Sequence, residues 1–192
     1  ADGKIVVVGD NATIEALAGP ETKRVDLDGA VLLPGFYAAH DHFPGSGRVA
    51  LFSLDLNSPP IGGIETMDEL VEALAAKAAD MPKGAWVRGR GYDDTLIKEK
   101  RHPTRADLDQ ASKDHPIFIT HISGHLGVAN SLALEMAGIT RDTPEPPGGV
   151  IRKDPETGEP NGVFEESSSL VTRLAPSLSA KDRLAAIRWS VE

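Results

Sequence analysis

Val31-Leu-Leu-Pro-Gly-Phe-Tyr-Ala-Ala-His40-Asp41-His42 is the stretch on which the fold turns. An apolar run passes through Pro34-Gly35 and delivers two histidines one residue apart. Successive side chains of a β-strand alternate between faces, so His40 and His42 are expected on one face with Asp41 pointing away. Two imidazoles side by side at the end of a buried strand make half of a metal site. Buried without such a partner, two polar rings would cost free energy. A surface His-x-His with no role is the competing reading, because a two-residue pattern carries little information by itself.

Composition narrows the chemistry. A chain of 192 residues has room for one domain or slightly more. Hydrophobic content of 40% and charged content of 26% form an ordinary globular balance, able to build a core. Aromatics are only 5%, so that core must come from Ala, Leu, Val and Ile. The formal net charge of −9 argues against nucleic acid and anionic membrane surfaces as partners. Without cysteine there is no disulfide framework and no thiolate ligand, so any metal must be held by His and carboxylate. No apolar run approaches the roughly 20 residues a spanning helix needs, and no signal peptide opens the chain, so a cytoplasmic protein is expected.

Around the central stretch, Lys4–Gly9 and Arg24–Gly29 read as strands, separated by a short helix begun by Asn11 or Thr13. The Gly/Ser/Pro-rich segment from Gly45 to Gly63 reads as a loop, with a short strand near Leu51 to Leu56. Thr66-Met-Asp-Glu69 is a capping box opening a helix with Leu70, Val71, Leu74, Ala75 and Ala78 on one face. Strands follow at Ala85–Gly89 and Pro116–Thr120, with a helix from Arg105 to Ala111 between them. Asn130 or Ser131 caps a helix that Gly138 stops. Segments 150–152 and 162–164 look like a hairpin around 154–158. A helix is expected from Glu165 to Leu174, and Ser179-x-x-Asp182 caps a last one.

Beyond the histidine pair, Glu166 is the best carboxylate for a metal, because it follows the strand-like Gly162-Val-Phe, with Glu165 its competitor. Either glutamate could instead sit in the first turn of a helix, where negative charge is favourable. His121 and His125 flank a Gly-containing loop, where a polar substrate contact or a backbone hydrogen bond suits them better than a second metal site. Asp93 and Asp94 are consecutive and expected to diverge. No Gly-x-Ser-x-Gly elbow is present.

Taken together, these segments resemble the amidohydrolase superfamily. Gly3-Lys-Ile-Val-Val-Val-Gly9, Val25-Asp-Leu-Asp-Gly29, Leu33-Pro-Gly-Phe36 and His40-x-His42 are similar to its opening. The amidohydrolase-3 branch is further marked by Trp86-Val-Arg-Gly-Arg-Gly-Tyr92-Asp93, Ser123-Gly-His125, Asn130-Ser131-x-Ala133-Leu134, Pro146-Pro-Gly-Gly149 and Gly162-Val-Phe-x-Glu166. The resemblance covers nearly the whole chain. It implies an α/β fold: residues 1–33 belong to a small N-terminal β-sandwich, and 34–58 are the first strand and loop of a (β/α)8 barrel. Residues 59–164 would be a family-specific α+β insertion, and 165–192 the start of the barrel helices.

By the same resemblance, His40, His42 and Glu166 hold one or two divalent ions, zinc first among them. His125, Trp86 and Asp93 contact a small-molecule substrate. A homo-oligomer is compatible with this reading. The reaction implied is hydrolysis of an amide-like, non-peptide carbon–nitrogen bond by hydroxide generated at the metal, with an aspartate beyond this chain as general base. Deamination is the alternative within the superfamily; a non-catalytic binding module built from residues 59–164 is the alternative outside it. Two departures stand out. Ala38 occupies a position that is often acidic in the family, which weakens support for the ligands. The later metal histidines have no counterpart, and a full barrel needs about 250 residues, so an inactive fragment is expected.

Overall fold

The computed structural model describes residues 3–40 and 42–192, which divide into two compact units, one ending at His40 and the other running on to Glu192. In the first unit the only helix among the described residues is α1 (Asn11–Glu15), capped by Asp10, whose carboxylate accepts from the Thr13 N–H at 2.8 Å. The strands expected at Lys4–Gly9, Arg24–Gly29 and Val31 onward do not form: no ladder occurs among the described residues before Leu54. Their β-branched sequence is right, but a strand exists only where a neighbour takes up its N–H and C=O groups. Val8, Val31 and Phe36 are correspondingly exposed. His40 lies in a bend, His42 is in no strand, and the expected outward turn of Asp41 falls outside the described residues.

The second unit is built on a six-stranded mixed sheet. Its elements are α2 (Gly45–Phe52), β1 (Leu54–Asp55), α3 (Met67–Ala79), β2 (Val87–Tyr92), α4 (Arg105–Ala111), β3 (Ile117–His121) and β4 (Leu126–Ala129). They continue with α5 (Ser131–Ala137), β5 (Val150–Lys153), β6 (Pro160–Glu165), α6 (Ser169–Thr172) and α7 (Ala180–Val191). The strand order is β1-β2-β3-β4-β6-β5; the first three run parallel, and every later pairing is antiparallel. No helix among the described residues is long and apolar enough to cross a membrane.

Alternation along the strands gives the sheet two differently filled faces. Val87, Ile117, Ile119, Val128 and Val163 share one core with Leu56, Leu70, Leu74 and Leu108, under α3 and α4. The helix α3 starts where the sequence indicates, with Thr66 Oγ1 accepting from the Glu69 N–H and the Glu69 carboxylate accepting from the Thr66 N–H. Leu70 and Leu74 are fully buried from it, each contributing about 1.5–3 kcal/mol. The opposite face carries Phe118, Ala129, Ile151 and Phe164 against α5 and α6.

Three elements differ from expectation. Gly45 to Phe52 is helical rather than looped, because Gly47 permits close packing on α7: its N–H donates to Ser190 Oγ at 3.0 Å, and a Cβ there would lie 2.0 Å from the Ala186 carbonyl oxygen. The strand β4 was hidden by Gly127, which resembles a breaker but makes room for the Phe118 ring, 2.3 Å from where its Cβ would stand. The helix expected from Glu165 begins only at Ser169, because Glu165 still pairs in the sheet, opposite Leu126 and Val150.

Candidate functional site

The carboxyl ends of β2, β3 and β6 lie at one end of the sheet, since Tyr92 pairs with His121 and Glu165 with Leu126 at the start of β4. Ligands of sheets of this kind favour the carboxyl ends of parallel strands. A register shift between Arg90 and Tyr92, at Gly91 with φ of 103°, turns the chain there. Three rings then surround one carboxylate. Tyr92, fully buried, meets His121 and His102 edge-on at centroid distances of 5.1 and 6.1 Å. Asp94 Oδ1 lies 3.1 Å from His121 Nε2 and 3.6 Å from His102 Nδ1.

Asp93 and Asp94 therefore do not diverge as their adjacency suggests. Each offers one oxygen, with His121 a nitrogen, all within 4.8 Å of one another. The Ser123 N–H donates to His121 Nδ1, so neutral His121 carries its proton on Nε2, facing Asp94. That contact has ion-pair length without hydrogen-bond alignment, which leaves Nε2 buried and incompletely satisfied. Ser123 Oγ also stands 2.8 Å from Nδ1, so the ring is oriented with Nε2 toward the two aspartates, and these three side chains could hold a divalent ion. Burial holds His102 below the ordinary imidazole range, against the opposing charge of Asp94. Burial likewise pushes the Tyr92 phenol up, helped by Asp94. The Thr95 hydroxyl holds Asp93 below the usual carboxylate range.

A second pair forms at the β4 and β6 ends. His125 Nδ1 is 2.8 Å from Glu166 Oε1, and the Glu166 N–H donates to the His125 carbonyl at 2.9 Å. Glu166 adopts φ of 52°, a left-handed conformation costing a residue with a side chain about 1–2 kcal/mol. Glu165 is engaged by Arg152 at 2.5 Å, while Glu166 stays exposed. Neither glutamate lies in a first helical turn, since α6 starts at Ser169.

Of the residues singled out in the sequence, His125 and Glu166 are brought together, and Asp93 joins Asp94 and His121. Trp86 precedes β2, separated from Asp93 by the length of that strand, roughly 20 Å. His40 closes the first unit, whereas His42 lines a hollow of the second with Asp55, Asn57 and Arg90. Sequence reasoning missed His102 and did not join His121 to Asp93 and Asp94; the glycine before Tyr92-Asp-Asp, marking a bulge, is the available signal.

Comparison with known proteins shows the family of the chain. Residues 23–192 match the model of the amidohydrolase family. The chain is 37% identical over 170 residues to an N-substituted formamide deformylase of Arthrobacter pascens, covering 87% of this chain and 30% of that protein. It is 35% identical over 180 residues to the putative amidohydrolase YtcJ of Bacillus subtilis, covering 93% and 33% respectively. An uncharacterized metal-dependent hydrolase from Pyrococcus furiosus superposes with a TM-score of 0.50 at 25% identity, over 82% of this chain and 28% of that one. The chain thus spans about a third of the length of the curated relatives it matches. It belongs to the amidohydrolase family, in the amidohydrolase-3 branch.

Proposed function

We propose that this chain is part of a metal-dependent hydrolase acting on an amide-like, non-peptide carbon–nitrogen bond of a small molecule. The observation that carries the reading is Glu166: a carboxylate beyond the end of a strand, held in a left-handed conformation by two contacts to His125. Strain of this kind persists only where the surroundings enforce it, and it concentrates at working sites. By the family resemblance, His40, His42 and Glu166 would supply two imidazoles and one carboxylate, the donor chemistry that divalent zinc takes in hydrolytic sites. The fit is chemical: Glu166 Oε1 lies 2.8 Å from His125 Nδ1, and the Glu166 side chain is exposed.

A bound divalent ion would supply Lewis acidity and a water deprotonated near neutral pH. His125, whose Nδ1 stands 2.8 Å from Oε1, orients the Glu166 carboxylate. Asp93 and Asp94 face the same end of the sheet, where they can accept a proton or a substrate N–H. We place the domains as the family resemblance implies: residues 1–33 in a β-sandwich, 34–58 at the first strand of a (β/α)8 barrel, 59–164 as an insertion and 165–192 entering the barrel helices. On this reading the general-base aspartate belongs to the part of such a protein that this chain does not span, and residues 1–192 alone are inactive.

Product analysis on protein of the relatives' length tests the reading. A carboxylate and an amine, formed with the native sequence and lost on Glu166→Gln, are expected. Ammonia from a ring amine would instead make the protein a deaminase, and turnover unaffected by Glu166→Gln would remove Glu166 from the site.

A further inference from the structure

The face of the sheet away from α3 carries a feature that the metal chemistry does not use. Trp86, Arg88 and Arg90 alternate along and just before β2, with Val87 and Gly89 turned to the core between them. Arg88 pairs with Phe118 of β3 and Arg90 with Thr120, so two guanidinium stems and two aromatic rings share one patch of sheet. Arg48 of α2 and Arg183 of α7 close in from the helices, and the resulting hollow of about 570 Å³ is lined by four arginines and no carboxylate. Among the described residues, none of the four makes an ion pair, in a chain whose net charge is −9.

Two of these arginines serve the architecture. Arg88 donates to the Pro176 carbonyl at 2.7 Å, and Arg183 to the Leu178 carbonyl at 2.8 Å, anchoring the segment that leads into α7. Among the described residues, no such bond engages the guanidinium of Arg48 or Arg90. Arg90 lies beside Gly124, 3.5 Å from where a Cβ would stand. The neighbouring acid, Asp55, pairs with Arg90 across the ladder and shares an adjoining hollow with Arg48 and Arg90, but among the described residues it makes no ion pair with either and accepts from Asn57 at 2.7 Å. Burial, and then the charge of Arg48, hold Arg88 below its ordinary value, as expected of like charges gathered without a counter-ion. Such a cluster repels itself, and the cost is offset only when an anion enters. A planar guanidinium binds oxyanions through paired N–H groups, and the volume falls within the range of small-molecule pockets.

We propose that this hollow binds a small organic anion, its planar apolar body against Trp86 and Phe118 and its oxyanion head on Arg48, Arg88 and Arg90. Carboxylate and phosphate monoester heads share the required chemistry. The proposal does not depend on the hydrolase reading, because no metal donor named above lines the cavity apart from the shared sheet. Calorimetric titration of the metal-free 192-residue protein with benzoate, phenyl phosphate and phenol tests it. Saturable one-to-one binding of benzoate or phenyl phosphate is expected, with a dissociation constant below about 1 mM; the tighter of the two identifies the head group. The double variant Arg48→Gln/Arg90→Gln, which keeps both carbonyl contacts, should weaken binding at least about tenfold with an unchanged melting temperature. Arg188→Gln, a charge change on α7 outside the cavity, should leave it unaltered. Absence of saturable binding by either anion, equal binding of phenol, or undiminished affinity in the double variant would each overturn the proposal.

Discussion

Asn130 is the point at which the sequence most tightly controls the geometry behind the candidate site. Its side chain is fully buried and makes four hydrogen bonds. Oδ1 accepts from the N–H of Ile117 at 2.9 Å and of Ala133 at 3.0 Å; Nδ2 donates to the carbonyls of His115 at 2.9 Å and Ser112 at 3.2 Å. One residue thus caps α5, starts β3 and ties both to the turn before them. Asn130→Ala removes an N-cap, worth about 1 kcal/mol, and leaves the Ile117 N–H unsatisfied in the core, costing about 1–3 kcal/mol more. With two carbonyls also losing a donor, the total should be about 3–5 kcal/mol, a large share of the roughly 5–15 kcal/mol that holds a domain folded. Urea unfolding followed by far-ultraviolet circular dichroism measures it. Asn130→Asp keeps both acceptor bonds but sets a buried carboxylate against two carbonyls, raising its folded pKa above the unfolded value. Its deficit should therefore shrink as pH falls through the carboxylate range, where protonation restores a donor. A loss below about 1 kcal/mol for the alanine variant, with unchanged denaturant dependence, would refute the reasoning.

Other outcomes follow from the same structure. Gly127→Ala should cost about 1–3 kcal/mol, because its methyl would meet the Phe118 ring at 2.3 Å, whereas Gly63→Ala, with no atom within 4 Å, should be nearly neutral in the same denaturation assay. Glu166→Gly should be at least about 0.5 kcal/mol more stable than Glu166→Ala, since only alanine retains the penalty of the left-handed backbone; equal stabilities would show that the strain is not real. His102 is held below the imidazole range chiefly by burial, so folded and unfolded chains are both neutral above that range and stability there is full. As pH falls through it, the unfolded chain takes up the proton first and stability declines; melting temperatures of His102→Gln should decline less over that interval.

Much of the second unit was legible because its signals are local. The capping boxes at Thr66–Glu69 and Ser179–Asp182, the Gly138 stop and the hairpin around residues 154–158 all appear where the residues indicate them. What escaped depends on contacts distant in sequence. Gly47 and Gly127 look like breakers until α7 and Phe118 explain why a hydrogen is needed there. The Asp93, Asp94 and His121 cluster needs both a bulge in β2 and a partner strand about 30 residues on. The first unit shows the converse: Ile5 to Val8 and Val31 to Leu33 have strand composition, yet no ladder forms among its described residues. His125 and Glu166 were chosen individually from the sequence; their contact with each other was not foreseen.

Zinc binding by equilibrium dialysis, comparing the native chain with His40→Asn/His42→Asn/Glu166→Gln and with Asp93→Asn/Asp94→Asn, bears most directly on the central claim. The account predicts saturable but weak binding to the native chain, abolished in the triple variant and retained in the aspartate double variant. Binding that survives loss of the two histidines and Glu166, or that vanishes instead with the two aspartates, would contradict it.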